Sequence, residues 1–314
     1  MLKLVPQNTK INFLGGRKVA IALSLLLMIG SVALFFTRGL NYGIDFKGGI
    51  SLHIETVEAV DTGKIRSLLG GLSLGDITVK EYGDTSQAMI RIEEQPGGEE
   101  GQKAAIDAVQ SALTQAFPGI KYLQENIVGP VVSEELKQDG LMSVGFAVLA
   151  VLIYIWFRFE WQFGMGAVIA LVHDILLTIG FFSITGLVFN LPIIAALLTI
   201  VGYSLNDTVV VYDRVRENIR RYRKMPMEEL LNVSLNQTLS RTVMTSVTTL
   251  LALLALFFFG GEVIRGFTAA MIWGVVIGTY SSIFVASPVL LIFKVEREGM
   301  ITGAEVEDSS AKFR

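Results

Sequence analysis

An apolar run of about twenty residues leaves a chain little choice of environment, because a helix of that length crosses the ~30 Å hydrocarbon core of a bilayer. This sequence carries six such runs, at residues 18–37, 141–157, 163–185, 191–212, 243–259 and 266–293. With 52% hydrophobic residues and a mean hydropathy of +0.55, the composition is that of a membrane protein. Cysteine is absent, which removes disulfides and thiolate metal sites, and His53 and His173 alone cannot build a zinc cluster. The first run is long, and no small-residue cleavage site precedes the charged stretch RGLNYGIDF, so it is expected to remain as a span.

Orientation follows from lysine and arginine, which stay on the cytoplasmic side. With the amino terminus inside, Lys3, Lys10, Arg17, Lys18, Arg158, Arg214, Arg216, Arg220, Arg221, Arg223, Lys224 and Arg241 fall on one side. Lys294, Arg297, Lys312 and Arg314 of the tail join them, while the short opposite loops GLVFNL and GGEVIRG hold only Arg265. Both termini are therefore expected in the cytoplasm. The plan is a cytoplasmic amino end at 1–17, a first span at 18–37 and an outside domain at 38–140. A five-helix bundle at 141–293 follows, with a basic cytoplasmic connection at 213–242, and then a tail at 294–314.

In the outside domain acids outnumber bases, which argues against a nucleic-acid or membrane-surface module. GGISLHIET (48–56) alternates as a strand, and DTGKIRSLLG (61–70) suits a short helix ended by glycine. DITVKEYG (76–83) and QAMIRIEE (87–94) read as a hairpin across GDTS. Residues 99–117 space their apolar side chains as a helix, with Ala105, Val109 and Leu113 inward, and KYLQENIV (121–128) closes as a strand. The order βαββαβ is the ferredoxin-like arrangement of an α+β domain, a fold too widely used to name an activity. His53, on a strand, is expected to be a structural histidine.

Two short pieces flank that domain. GIDFKGG carries Gly43, Asp45, Gly48 and Gly49 at its entrance, and VGPVVSEEL carries Gly129 and Pro130 at its exit. Paired glycines at a strand entrance mark a tight turn or a close backbone approach. These pieces read either as rigid connectors or as a hinge, with Ser133 as the expected cap of the next helix.

The fourth span holds Asn206 and Asp207. From Pro192 to Asp207 a helix rises about 22 Å, which places the acid inside the hydrocarbon, where a charge costs roughly 2.5–3.5 kcal/mol on insertion scales. The third span places Asp174 in a ladder with Gly166, Ala170 and Thr178, with His173 beside it. The sixth repeats small residues at Gly266, Ala270, Gly274, Gly278 and Ser282, a spacing that admits a close neighbour. The fifth carries a polar stripe through Ser234, Thr238, Arg241 or Thr242, Thr245, and Thr248 or Thr249. Asp174, Asp207 and Arg241 thus have the makings of a proton relay. Desolvation raises a carboxylate's proton affinity and a nearby guanidinium lowers it, so a group balanced between the two can load and release. The other reading is that these charges clip the bundle together. Arg214 is a rival partner for Asp207.

GIDFKGG (43–49), VGPVVSEEL (128–136), GYSLNDTVVVYDRVREN (202–218) and LNQTLSRTVMTSVTTL (235–250) resemble the signatures of the SecF family, in that family's order and on its six-span layout. SecF is the smaller subunit of the bacterial SecDF protein-export complex, within the RND group of proton-driven exporters. The resemblance implies half of an RND-type bundle, completed by SecD in the bacterial inner membrane, with the outside domain periplasmic. It implies coupling of inward proton flow to the pulling of preproteins that emerge from the SecYEG channel, with YajC and SecA reached through the complex. The family's essential acid and arginine fall on Asp207 and Arg241. No enzymatic activity, nucleic acid or cofactor is expected, and no Walker motif makes ATP a direct energy source. Sodium is the alternative coupling ion. A different RND half-transporter, exporting lipids or small molecules, and a passive scaffold are the competing readings.

Overall fold

The computed structural model describes residues 9–293 and 295; the carboxyl tail and the first eight residues, with the basic residues assigned to them above, lie outside the described residues. A single turn of 3-10 helix at Leu14–Gly16 leads into α1 (Arg17–Arg38), the first of six helical stretches among the described residues that are long and apolar enough to cross a membrane. The chain then makes a two-residue strand β1 (Asn41–Tyr42), a helical turn α2 (Ile44–Lys47), β2 (Gly49–Glu55), α3 (Thr62–Gly70), β3 (Ile77–Tyr82), β4 (Asp84–Ile92), α4 (Gly98–Ala116) and β5 (Lys121–Val128). The remaining spanning stretches are α5 (Pro130–Arg158), α6 (Trp161–Thr185), α7 (Leu191–Arg221) and α8 (Met227–Phe259), then α9 (Glu262–Ser281) continuing through a π-helical turn Ser282–Ala286 into α10 (Ser287–Ile292). A second two-residue strand, β6 (Val188–Phe189), separates α6 from α7.

The extramembrane region is a four-stranded antiparallel sheet in the order β3-β4-β2-β5, with α3 and α4 covering one face. Strand alternation sets its core. Ile50, Leu52 and Ile54 of β2 point with Val79, Ala88, Ile90 and Ile92 toward Ile65 and Leu69 of α3 and toward Ala105, Ile106, Val109 and Leu113 of α4. The Asp61 carboxylate accepts from the Lys64 amide at 2.9 Å and so caps α3. The hairpin is tighter than GDTS implied: Gly83, at φ +77°, makes the turn, and β4 already begins at Asp84. Ser51 and His53 of β2 face the other way, into a cavity of about 860 Å³ bounded by the first residues of α7 and α9.

The middle of GIDFKGG is α2, so the entrance motif carries a helical turn of its own. Gly48 and Gly49 hold φ of +73° and +108°, and a Cβ on Gly49 would stand 2.4 Å from the Ile92 carbonyl oxygen, so the strand can start only without a side chain there. The exit of the domain lies alongside, since Gly49 pairs with Val128. Gly129 precedes α5 in extended conformation and Pro130 occupies its first turn, where a missing amide hydrogen costs nothing. Ser133 is inside that helix and returns its hydroxyl to the Pro130 carbonyl at 3.0 Å, so it does not cap the helix as expected.

In the bundle, α7 packs against α5, α6, α8 and α9, and α1 lies on α6. The small-residue ladder of α9 works by proximity. A Cβ on Gly274 would sit 2.2 Å from Ile200 Cγ1, and one on Gly278 would sit 3.0 Å from Ser204 Cβ. Both α7 and α8 run on past their apolar stretches, so most of the charged segment 213–242 is helical. Before α1, Asn12 and the backbone of Ile11 and Leu14 bond to Asn232 and Asn236 near the start of α8, and Arg17 pairs with Glu228.

Candidate functional site

Three helices bring polar groups to one layer deep in the bundle. Asp174, 2% exposed on α6, accepts from Ser204 Oγ of α7 at 2.5 Å and from Ser281 Oγ of α9 at 2.8 Å, both at Oδ2. Its Oδ1 lies 2.9 Å from Nδ1 of the fully buried His173. The carboxylate therefore has hydrogen-bond partners on both oxygens, as a buried acid requires. His173 Nε2 has no hydrogen-bond partner among the described residues, and its ring stacks on Tyr280 at 6.0 Å.

Asp207 lies one turn beyond Ser204 on α7. It is 3% exposed, and its Oδ2 is a buried oxygen without a hydrogen-bond partner among the described residues. Arg241 acts on it electrostatically, but no ion pair within 4 Å joins them. Arg241 itself is exposed on α8. Arg214, the rival, is committed elsewhere: it donates to Gln237 Oε1 at 2.7 Å and to Glu217. Asn206 is exposed. The structure thus joins Asp174 to the helix of Asp207 through Ser204, keeps Arg241 at a distance, and leaves Asn206 outside the polar layer.

The stripe on α8 divides. Ser234, Thr238, Thr242 and Ser246, four apart, are buried, with Ser234 accepting from Asn218 Nδ2 at 2.8 Å and Ser246 bonded to Thr279 at 2.7 Å. Arg241 and Thr248 are on the exposed face, with Thr245 half-buried beside them, and the two threonine hydroxyls return to carbonyls of their own helix. Ser204, Ser281 and Asn218 belong to this interior and were not singled out from sequence. A serine reads as a small residue until the facing carboxylate is known.

The entrance motif reaches the bundle directly. β1 pairs in parallel with β6, Gly43 N donates to Phe189 O at 2.8 Å, and Asp45 Oδ2 accepts from the Leu191 amide at 2.8 Å, at the first residue of α7. Asp45 is thus an N-terminal cap supplied from another element, and its charge suits the positive end of that helix. Phe46 packs among Phe182, Phe189 and Ile193. His53 lies on the cavity face of the sheet with its ring 4.4 Å from Tyr82, and burial lowers its pKa below the ordinary histidine value.

An apolar six-span bundle with buried carboxylates, capped by an α+β domain, is the build of a polytopic membrane protein with a polar interior. The family described as "Protein export membrane protein SecD/SecF, C-terminal" matches residues 108–296, and the "SecD/SecF GG Motif" matches residues 33–60. The protein translocase subunit SecF of Rhodobacter capsulatus is 47% identical over 99% of this chain and 96% of its own length. That of Rickettsia felis is 44% identical over 93% of this chain and 94% of its own. The crystal structure of SecDF from Thermus thermophilus, a translocon-associated membrane protein, superposes with a TM-score of 0.83 at 37% identity, covering 93% of this chain. This chain spans 40% of that longer polypeptide. SecDF in a super-membrane-facing form gives 0.69 at 35% identity. The chain belongs to the SecD/SecF family of protein-export membrane proteins.

Proposed function

We propose that this chain is the SecF-type accessory subunit of the Sec preprotein translocase. It pairs with SecD in the bacterial inner membrane and couples inward proton flow to pulling or release of exported proteins on the periplasmic side. The observation that carries the reading is Asp207, a carboxylate with 3% exposure midway along a membrane-crossing helix, one oxygen of which has no hydrogen-bond partner among the described residues. Such a group is costly in the membrane and is a functional site by default. Asp207 carries the proton and Arg241 is its counter-charge. Asp174 and Asn206 extend the relay. The exposure of Arg241 within its span supports a second subunit on that face.

In this reading both termini are cytoplasmic and the 38–140 region is a periplasmic ferredoxin-like domain. Gly43, Asp45, Gly48, Gly49, Gly129 and Pro130 form its joint with the bundle. SecYEG, YajC, SecA and the emerging preprotein are the further partners. No cofactor takes part, and sodium is the alternative ion. One proton moving through 100 mV supplies about 2.3 kcal/mol, a bias of roughly fiftyfold on a conformational equilibrium. Protonation drives motion only if the two arrangements hold the proton with different affinity. The test is export into inverted membrane vesicles by wild type and Asp207→Asn, with a protonophore and with sodium varied. The expected result is an assembled Asp207→Asn complex that gives no more export than vesicles lacking it, and a wild-type advantage that the protonophore removes. An Asp207→Asn complex as active as wild type overturns the reading.

A further inference from the structure

Below the polar layer, toward the end of the bundle that carries the 213–242 segment, the same three helices meet again around one aromatic hydroxyl. Tyr212 of α7 is fully buried, with its ring edge-on to Phe159 and Phe163 at 6.0 and 5.1 Å. Its hydroxyl donates to the Ala286 carbonyl at 3.0 Å. That carbonyl closes the π-helical turn of the last span, and π turns are rare and gather at functional sites. The hydroxyl fits only because α6 has a glycine opposite: a Cβ on Gly166 would stand 2.2 Å from it. A tyrosine, a glycine and a π turn from three helices therefore meet at one point.

The groups on either side give this point a meaning. On one side stand Asp207 Oδ2 and His173 Nε2, on the other Gln162 Oε1 and Arg216 Nε, all buried and without hydrogen-bond partners among the described residues. Buried polar atoms are nearly always paired, by water where protein does not serve, so groups able to hold water stand on both sides of the tyrosine. The layer between them is apolar apart from the Tyr212 hydroxyl and the buried Ser287 hydroxyl beside Ala286, and both are satisfied within the protein.

We infer that Tyr212 is the closing element of the ion path on the charged side of the bundle, held shut by its bond to Ala286 and opened when the π turn and Gly166 let the ring swing away. The inference rests on the proton-coupled reading above, but the barrier can be tested apart from it. The chain has no cysteine, so Thr208→Cys, one turn from Tyr212 on the polar side and 1% exposed in the parent, gives a unique reporter on this chain. The complex with its partner subunit is reconstituted in liposomes. A membrane-impermeant methanethiosulfonate is applied from the side of the 213–242 segment. Modification is expected to be at least tenfold faster when Tyr212→Ala is added, and severalfold faster with Tyr212→Phe, which keeps the ring and loses only the bond. Gly166→Ala, which leaves Tyr212 intact and crowds its hydroxyl, is expected to act in the same direction and serves if the alanine variant does not assemble. Equal rates in parent, Tyr212→Phe and Gly166→Ala overturn the inference. Proton entry into the same liposomes separates the two readings. Faster labelling without Asp207-dependent proton entry leaves the barrier standing and removes the proton. An Asp207-dependent leak without faster labelling keeps the proton and removes Tyr212 as its barrier.

Discussion

The two cores of this molecule are built to opposite rules. The sheet-and-helix core around Leu52 and Val109 is apolar but for Gln102 near the start of α4, whereas the bundle interior is threaded with Asp174, His173, Ser204, Asp207, Asn218, Ser234 and Ser281. The difference follows from the solvent. In water, apolar burial is the main driving force, and a polar group in the core forfeits it. In a bilayer the tails are as apolar as leucine, so helices gain little by hiding leucine and associate through close packing of small residues and through hydrogen bonds. A domain assembled by exclusion of water can be inert inside. A bundle assembled by polar contact has titratable groups in its interior from the outset.

The largest effect that tests this contrast is Leu52→Ala, which opens a cavity in the sheet core and should cost about 2–5 kcal/mol. Hydrogen exchange should rise across β2, β4 and α4 while α7 stays protected; a loss of protection spread equally over both regions would break the division. Next is Gly274→Val, which drives a branched side chain into Ile200 and should cost about 1–3 kcal/mol. Its exchange signature should appear in α7 and α9 and leave the sheet unchanged. Ser281→Ala removes one of two hydroxyl donors to Asp174 and should cost only about 0.6 kcal/mol, visible as a small drop in the detergent melting temperature. A drop as large as that of Leu52→Ala would mean that hydrogen bonds rank above packing in the bundle.

The smallest effect concerns His53. Burial depresses its pKa in the folded domain, so the folded form binds this proton less tightly than the unfolded chain. That contribution to stability is present above the ordinary histidine value and is lost as pH falls through the depressed one. Limited proteolysis of the domain should therefore accelerate from pH 8 to pH 5 more in wild type than in His53→Gln. An equal acceleration in both would assign the pH dependence to the surface acids.

What sequence could show depended on whether a residue's partner was local. The α4 helix was readable because Ala105, Val109 and Leu113 repeat at helical spacing, and the spans because hydropathy needs no partner. The choice between Arg241 and Thr242 was not. They stand about 100° apart on one helix, and only the position of α7 and α9 decides that Thr242 turns inward. Ser204 and Ser281 could not be paired with Asp174 without the crossing of three helices. Side chains of adjacent residues on a helix ordinarily diverge, so the contact between His173 and Asp174 is also tertiary in origin. The ends of α7 and α8 escaped notice because a helix that leaves the membrane loses the hydropathy that announced it.

The pairing of β1 with β6, together with the bond from Asp45 to Leu191, has a mechanical side. Two short strands in parallel register and one cap tie the entrance motif to the bundle beside the covalent links to α1 and α5. Tension applied to the sheet therefore reaches three helices, α1 and α5 along the chain and α7 at its first turn, and α7 carries Asp207 four turns further on. A load borne by one helix while its neighbours are held changes that helix's register against them, and register is what sets the company of its acid. The joint between domain and bundle therefore sets one rod under both the sheet and the buried acid.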